Sequence, residues 1–379
     1  MRWSLTPRDA SLQFKPARLW LLRSPFAAFL SAVVALTAIW TAAGPNSVAE
    51  ISGDARYYLA LWREPRQPTA PPFTYRVLTP WLARLSGLDP FWAFALVTIV
   101  SLAIAGVLLW AVVSRDRTPQ QAWLALGLFV VSPAAVYSLA DHYLVDPLAC
   151  AFLAGVLFLL CRNRLALAAA VCVVGLLAKE PVLFAGPIVV LFALRARAWP
   201  AIVVLLTGAP ALYLVIHRTN WIANGAGREF PYFTEGNLSS VVNHQGGALR
   251  AILIALVVGF GPLAVAAMLG WRSSPGLLRV WALLLIPITL AVVIAGDWVR
   301  MLAYSAVVFV PIAAQDEWSP PAAALTLAAT AVSSIGVQKM PKSWLQVLAG
   351  AAIIVLYTVL MRGRRFWTPP LRDNLRAGR

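Results

Sequence analysis

The chain has 379 residues, 60% of them hydrophobic and only 12% charged, with a mean hydropathy of +0.76. Soluble domains run near 45–50% apolar and about 25% charged, so a soluble enzyme, a secreted disulfide scaffold and a disordered tail are excluded, and a polytopic membrane protein is expected. The formal charge of +16 does not call for nucleic acid, because the basic residues are spread among the gaps between apolar runs and form no stripe.

In chain order the apolar runs fall at roughly 26–44, 90–113, 120–138, 144–161, 165–178, 181–195, 199–216, 248–270, 279–295, 301–314, 320–337 and 344–361. They predict an all-α transmembrane bundle of about 12 spans, within a range of roughly 10–13 set by chain length. The first run is longer than a signal-peptide core and reads as a span. The runs 165–178, 181–195 and 301–314 are shorter than the roughly 17 residues a span normally needs, and are expected to tilt little, to break, or to borrow flanking polar residues. The expected organisation is a basic tail at 1–25, a transmembrane domain at 26–361 and a second basic tail at 362–379. Cys150, Cys161 and Cys172 lie in or at the ends of apolar runs and read as small core residues.

Lys and Arg placement orients the bundle. One face holds the tails and the pairs Arg115/Arg117, Arg162/Arg164, Arg195/Arg197 and Arg272/Arg279, which together make 19 of the 31 basic residues against 5 of the 15 acids. That face is assigned to the cytoplasm, with both termini, in a multi-pass protein of the inner (plasma) membrane. The long, acid-bearing segments fall on the other face: the first outer loop 45–89, the segments 139–146, 179–180 and 296–300, and a lid-like loop 217–247.

The first outer loop is the richest. Ser52 is placed to cap a short helix starting near Asp54, where an acid suits the helix dipole. Tyr57 and Tyr58 lie three and four residues on, sharing the carboxylate's face, and Arg56 stands beside them. Further on, Leu78, Trp81, Leu82 and Leu85 make an apolar stripe at helical spacing, with Arg76 and Arg84 on the polar side. Two helices lying in the membrane interface are expected.

Asp141, His142 and Asp146 stand together at the mouth of two apolar runs, where capping, substrate contact and metal binding are all open. Their spacing specifies no metal site. Asp146-Pro147 makes a good helix start. Lys179-Glu180 interrupts an apolar stretch, either self-paired or with Lys179 meeting a phosphate and Glu180 orienting it. Asp297 and Arg300 form another pair at an outer span end, placed to neutralise each other or to hold a phosphate. No cofactor motif is present, and a divalent metal is left open.

The stretch Asp54–Tyr58 resembles the acidic motif that opens the first outer loop in the C-type glycosyltransferase superfamily of polytopic membrane enzymes. Thr74-Tyr75-Arg76…Thr79-Pro80-Trp81-Leu82-Ala83 is similar to the Tyr-Arg-Tyr-Thr-Pro-Leu-Leu-Ala stretch of the first mannosyltransferase of GPI-anchor synthesis and of many bacterial membrane proteins. The resemblance is most specific over residues 50–90. This chain differs in having no soluble outer domain and no acid pair next to Asp54. The resemblance implies transfer of a sugar from a polyprenyl-phosphate carrier to an extracytoplasmic acceptor (a glycan, lipid or protein), with Asp54 as general base. With the outer-face placement read from the residues themselves, Arg56, Tyr57, Tyr58, Tyr75, Arg76, Asp141, His142, Asp146, Lys179, Glu180, Asp297 and Arg300 are expected about the substrate. Two other classes stay open: a transporter or flippase of a lipid-linked or small polar substrate, and a non-catalytic membrane assembly protein.

Overall fold

The computed structural model describes residues 24–44, 53–65, 73, 76–218, 257, 260–288, 303–339 and 351–361. Every secondary-structure element among them is helical. The two tails, most of the lid-like loop, Tyr75, Asp297 and Arg300 lie outside the described residues.

Helix α1 (Pro25–Ala43) starts where Ser24 accepts a hydrogen bond from the Ala27 N–H and Pro25 takes the first position, and it stops at Gly44 with φ 66°. Only one stripe, Ala28, Ala32, Leu36 and Trp40, is buried, while Phe26, Leu30 and Val34 face outward. That division makes α1 a peripheral helix with an apolar outer surface.

The next two helices, α2 (Ala55–Arg63) and α3 (Leu78–Leu85), occupy the first loop. Helix α4 (Pro90–Ser114) begins with Asp89 accepting from the Phe91 and Trp92 N–H groups. Its 25 residues rise about 37 Å, enough to cross a hydrocarbon core of about 30 Å.

Thr118 and Gln121 form a capping box at the start of α5 (Pro119–Val130), which satisfies two otherwise orphaned N–H groups. The predicted run 120–138 is interrupted: Pro133 has no N–H to donate, and α6 (Pro133–Ala140) restarts after Ser132. Together α5 and α6 still span 22 residues, and 78% of their most apolar window is buried, against 22% for α1. They form the middle of the bundle.

Helix α7 (Asp146–Cys161) packs along α4, and α8 (Leu165–Gly175) packs along α7. Helix α8 is shorter than the run 165–178 predicted. The chain turns at 176–179, runs as a 3₁₀ helix over Glu180–Ala185, and continues as α9 (Gly186–Ala196). A Cβ on Gly175 would lie 2.5 Å from Val182 Cγ1 and 3.1 Å from Phe152 Cγ, so glycine permits the tight approach of α8, α7 and the 3₁₀ turn.

The remaining helices are α10 (Trp199–Arg218), α11 (Gly261–Gly270), α12 (Gly276–Trp281, continued as 3₁₀ over Ala282–Leu284), α13 (Ala306–Ala313), α14 (Pro320–Lys339) and α15 (Ala351–Met361). Helix α10 lies along α8, and α11 along α13. Among the described residues three segments, α1, α4 and α5–α6, are long and apolar enough to cross a membrane.

The connections sort into two ends. Arg117 donates from Nε to Gln315 Oε1 (2.7 Å) and from Nη2 to the Ser273 carbonyl, and Gln121 donates to the Asp316 carbonyl (2.9 Å). Arg115, Cys161 and Pro275 line one cavity, and Arg164 and Ala196 line another. The turns expected on the cytoplasmic face therefore share one end of the molecule.

Candidate functional site

The opposite end carries the buried charged groups Arg76, Asp146 and Lys179. The first-loop helices fold back onto the bundle through Ala55, Tyr58, Phe73 and Ala83, which pack with Ala93, Phe94, Tyr143 and Val145. Arg84 fastens α3 to the end of α2, donating from Nη1 to the Trp62 and Arg63 carbonyls at 3.0 and 2.6 Å. These are unsatisfied C-terminal carbonyls of a helix, which a cation suits. The Leu78 N–H donates to the Leu177 carbonyl (2.9 Å), tying the start of α3 to the turn after α8.

That register sets the first ion pair. Arg76 is buried and forks onto Glu180, with Nε 3.0 and 3.1 Å from its two carboxylate oxygens and Nη2 3.0 Å from Oε2; Nη1 donates to the Tyr58 hydroxyl at 3.0 Å. The Phe73 ring lies 5.5 Å from the guanidinium carbon. Burial disfavours the charge on Arg76, but the attraction of Glu180 and Tyr58 outweighs it and keeps the pKa above the ordinary arginine value. Of the five guanidinium N–H donors, three are engaged in this way, and among the described residues two are left for a further acceptor.

The second pair is deeper. Lys179 is 1% exposed, and its Nζ lies 2.6 Å from Oδ1 of Asp146, also 1% exposed. The Tyr304 hydroxyl donates to the same oxygen, and Lys179 Nζ sits 5.6 Å from the Tyr304 ring centroid. Asp146 occupies the first turn of α7, where the helix dipole favours its negative charge. Lys179 and Glu180 are adjacent, and the extended backbone at Lys179 (φ −169°, ψ 147°) sends successive side chains to different partners.

The second pair is recessed. Thr98 donates to the His142 carbonyl (2.9 Å), which seats the α6–α7 hairpin eight residues along α4, about 12 Å from its first residue.

The expected site residues separate accordingly. Tyr58, Arg76 and Glu180 form one connected group and Asp146 and Lys179 another, joined through the adjacent residues Lys179 and Glu180. Asp54 is half-buried at the N-cap of α2, one turn before Tyr58, and its carbonyl accepts from the Tyr57 and Tyr58 N–H groups. Three readings are corrected. Glu180 does not orient Lys179, because its carboxylate is taken by Arg76. Arg76 is inside the protein and not on the polar side of a surface helix. Tyr57 and Tyr58 do not share a face: Tyr58 is buried, while Tyr57 is partly exposed and stacks on Phe73 with centroids 4.2 Å apart.

Arg56 is exposed, and Asp141 is half-buried at the end of α6. His142 has no exposed surface and is boxed by Trp40, Phe91 and Tyr143 at 6.0, 4.9 and 4.3 Å. Burial holds its pKa down at about 4, so it packs as a neutral ring and not as a cation. Tyr304 is the partner that the sequence reading missed, and its signal was a lone tyrosine in the apolar run 301–314. Among the described residues, no three His, Cys, Asp or Glu side chains gather as a metal requires.

No family model, curated protein or solved structure matches this chain.

Proposed function

We propose that the chain is a membrane glycosyltransferase of about twelve spans, both termini cytoplasmic, moving a sugar from a polyprenyl-phosphate carrier to an extracytoplasmic acceptor. The observation carrying this reading is the return of the first loop to the bundle. It stands Asp54 one helical turn from Tyr58, and Tyr58 is linked through Arg76 and Glu180 to the recessed Lys179–Asp146–Tyr304 group.

In the proposed reaction Asp54 accepts the proton of an acceptor hydroxyl. The new bond forms from that oxygen to the sugar's anomeric carbon as the bond to the carrier phosphate breaks, and the phosphate leaves with the electron pair. The two spare N–H donors of Arg76 are suited to phosphate oxygens. Among the described residues the two cations are matched by two acids, so the leaving phosphate calls for further positive charge, a role we assign to Arg300. Outward apolar residues such as Leu82 and Leu85 on α3 suit an isoprenoid tail.

The test is release of polyprenyl phosphate by the purified full chain in proteoliposomes, given polyprenyl-phosphate hexoses and an envelope glycan extract. Wild type should release the carrier, and Asp54→Asn should lower the rate by about 10²–10⁴-fold without losing fold. No release from any hexose or pentose donor by folded protein overturns the reading.

One observation favours a second reading. A buried Lys–Asp pair beside an interrupted helix also fits a transporter, in which case labelled substrate would cross the vesicle with no new glycosidic bond.

A further inference from the structure

The four arginines in the α7–α8 and α9–α10 turns play no part in the site proposed above. Arg162, Arg164, Arg195 and Arg197 are all exposed, and neither turn contains an acid. Other arginines at this end are engaged: Arg115 with Asp116 at 3.8 Å, Arg117 with Gln315 and Ser273, and Arg279 with the Arg272 carbonyl. None of the four guanidinium groups has an ion pair or hydrogen bond among the described residues; the Arg162 guanidinium lies over the Phe158 ring, 5.3 Å from its centroid.

Between the two turns is an open crevice of about 380 Å³, lined by Asn163, Arg164, Leu167, Ala196, Ala198 and Pro200. Arg164 lines a space large enough for a phosphate ester, and the other three arginines stand exposed in the two turns that form it. Directly beside it, Leu167, Leu194, Trp199 and Val203 are apolar and more than half exposed. A tryptophan in that position suits the headgroup level of a membrane.

We infer that this crevice binds the headgroup of an anionic phospholipid, the acyl chains lying along the outward faces of α8 and α10. Guanidinium groups fork onto phosphate oxygens, and basic pockets between membrane helices hold anionic lipid heads. A free phosphate would use the arginines but leave the adjoining apolar surface uncovered, which is why the lipid is the occupant.

The experiment is native mass spectrometry of the purified full chain in detergent, titrated with phosphatidylglycerol or phosphatidylcholine, with inorganic phosphate as a competitor. Wild type should take up phosphatidylglycerol saturably, at a concentration at least about ten-fold lower than phosphatidylcholine. The combined Arg162→Gln, Arg164→Gln, Arg195→Gln, Arg197→Gln variant should lose that preference, each two-residue variant should lose part of it, and Arg272→Gln should keep it. Equal affinity of the wild type for both lipids overturns the inference and needs no variant. So does undiminished preference in the four-residue variant, or displacement of the lipid by millimolar phosphate.

Discussion

Arg76 and Lys179 are each held by one carboxylate, and the two pairs differ in what removal would do. Asp146 and Lys179 are both almost fully buried, so Lys179→Met should leave the buried Asp146 carboxylate without its lysine and destabilise the protein by about 3–5 kcal/mol. Asp146→Asn together with Lys179→Met should cost markedly less than the two single changes added. Thermal unfolding in detergent of both single variants and the pair checks this, and additive losses would argue that the pair is not the coupled unit. Glu180 is about two-fifths exposed at its side chain, so water screens that pair and Glu180→Gln should cost less than Lys179→Met. His142 adds a pH dependence. Its pKa falls from 6.5 to about 4 on folding because burial disfavours the charged ring. The unfolded chain takes up the proton first, so the stability from neutral His142 is complete above about pH 6.5 and drains away toward pH 4. His142→Phe should flatten the melting temperature over that window, and an unchanged slope would assign it to other groups.

At the scale of elements, close approach between helices is tested by glycine. A Cβ on Gly270 would lie 2.0 Å from the Ile312 carbonyl oxygen, whereas one on Gly155 would meet nothing nearer than 3.7 Å. The first clash is with backbone, which no rotamer change relieves, so Gly270→Ala should force α11 and α13 apart. Overpacking of this sort costs about 1–3 kcal/mol, and we expect the upper end. Gly155→Ala should be tolerated, and similar melting temperatures for the two variants would contradict the α11–α13 packing. Arg84→Ala removes two hydrogen bonds to the end of α2, and amide exchange over residues 61–65 should speed up while α4 is unaffected. The α3 stripe shows how far periodicity reaches. It marks Leu82 and Leu85 as one face, yet both are exposed, and the face packed against protein is Val77, Thr79, Pro80 and Ala83. A single-helix pattern does not say whether its apolar face meets protein or lipid.

For the whole molecule, the sharing of one end by the turns near 115, 163, 197, 273 and 316 sets a labelling experiment. Glu64 and Asp116 are exposed at opposite ends. With Cys161→Ser as background, a cysteine at Glu64 should react with an impermeant maleimide on intact cells, and one at Asp116 only after permeabilisation. The reverse pattern would invert the orientation and place the recessed site on the cytoplasmic side.

Composition and apolar periodicity by themselves determined an all-helical membrane-type chain and most helix positions, because burial in an apolar medium is written into the length and spacing of the runs. In the structure Ser24, Asp89 and Thr118, each with a proline after it, cap helix starts by local chemistry. The two-ended distribution of charge was also legible, since turns are the places where arginine escapes the apolar interior. Only the tertiary structure decided the pairings. Residue types and intervals made Lys179-Glu180 look like a unit, but the partners stand 33 and 104 residues away, brought in by the seating of α3 on the turn after α8 and of α7 against α8. Tyr304 joined Asp146 across 158 residues for the same reason: a buried charge takes whichever polar group helix packing delivers, and no local pattern encodes that choice.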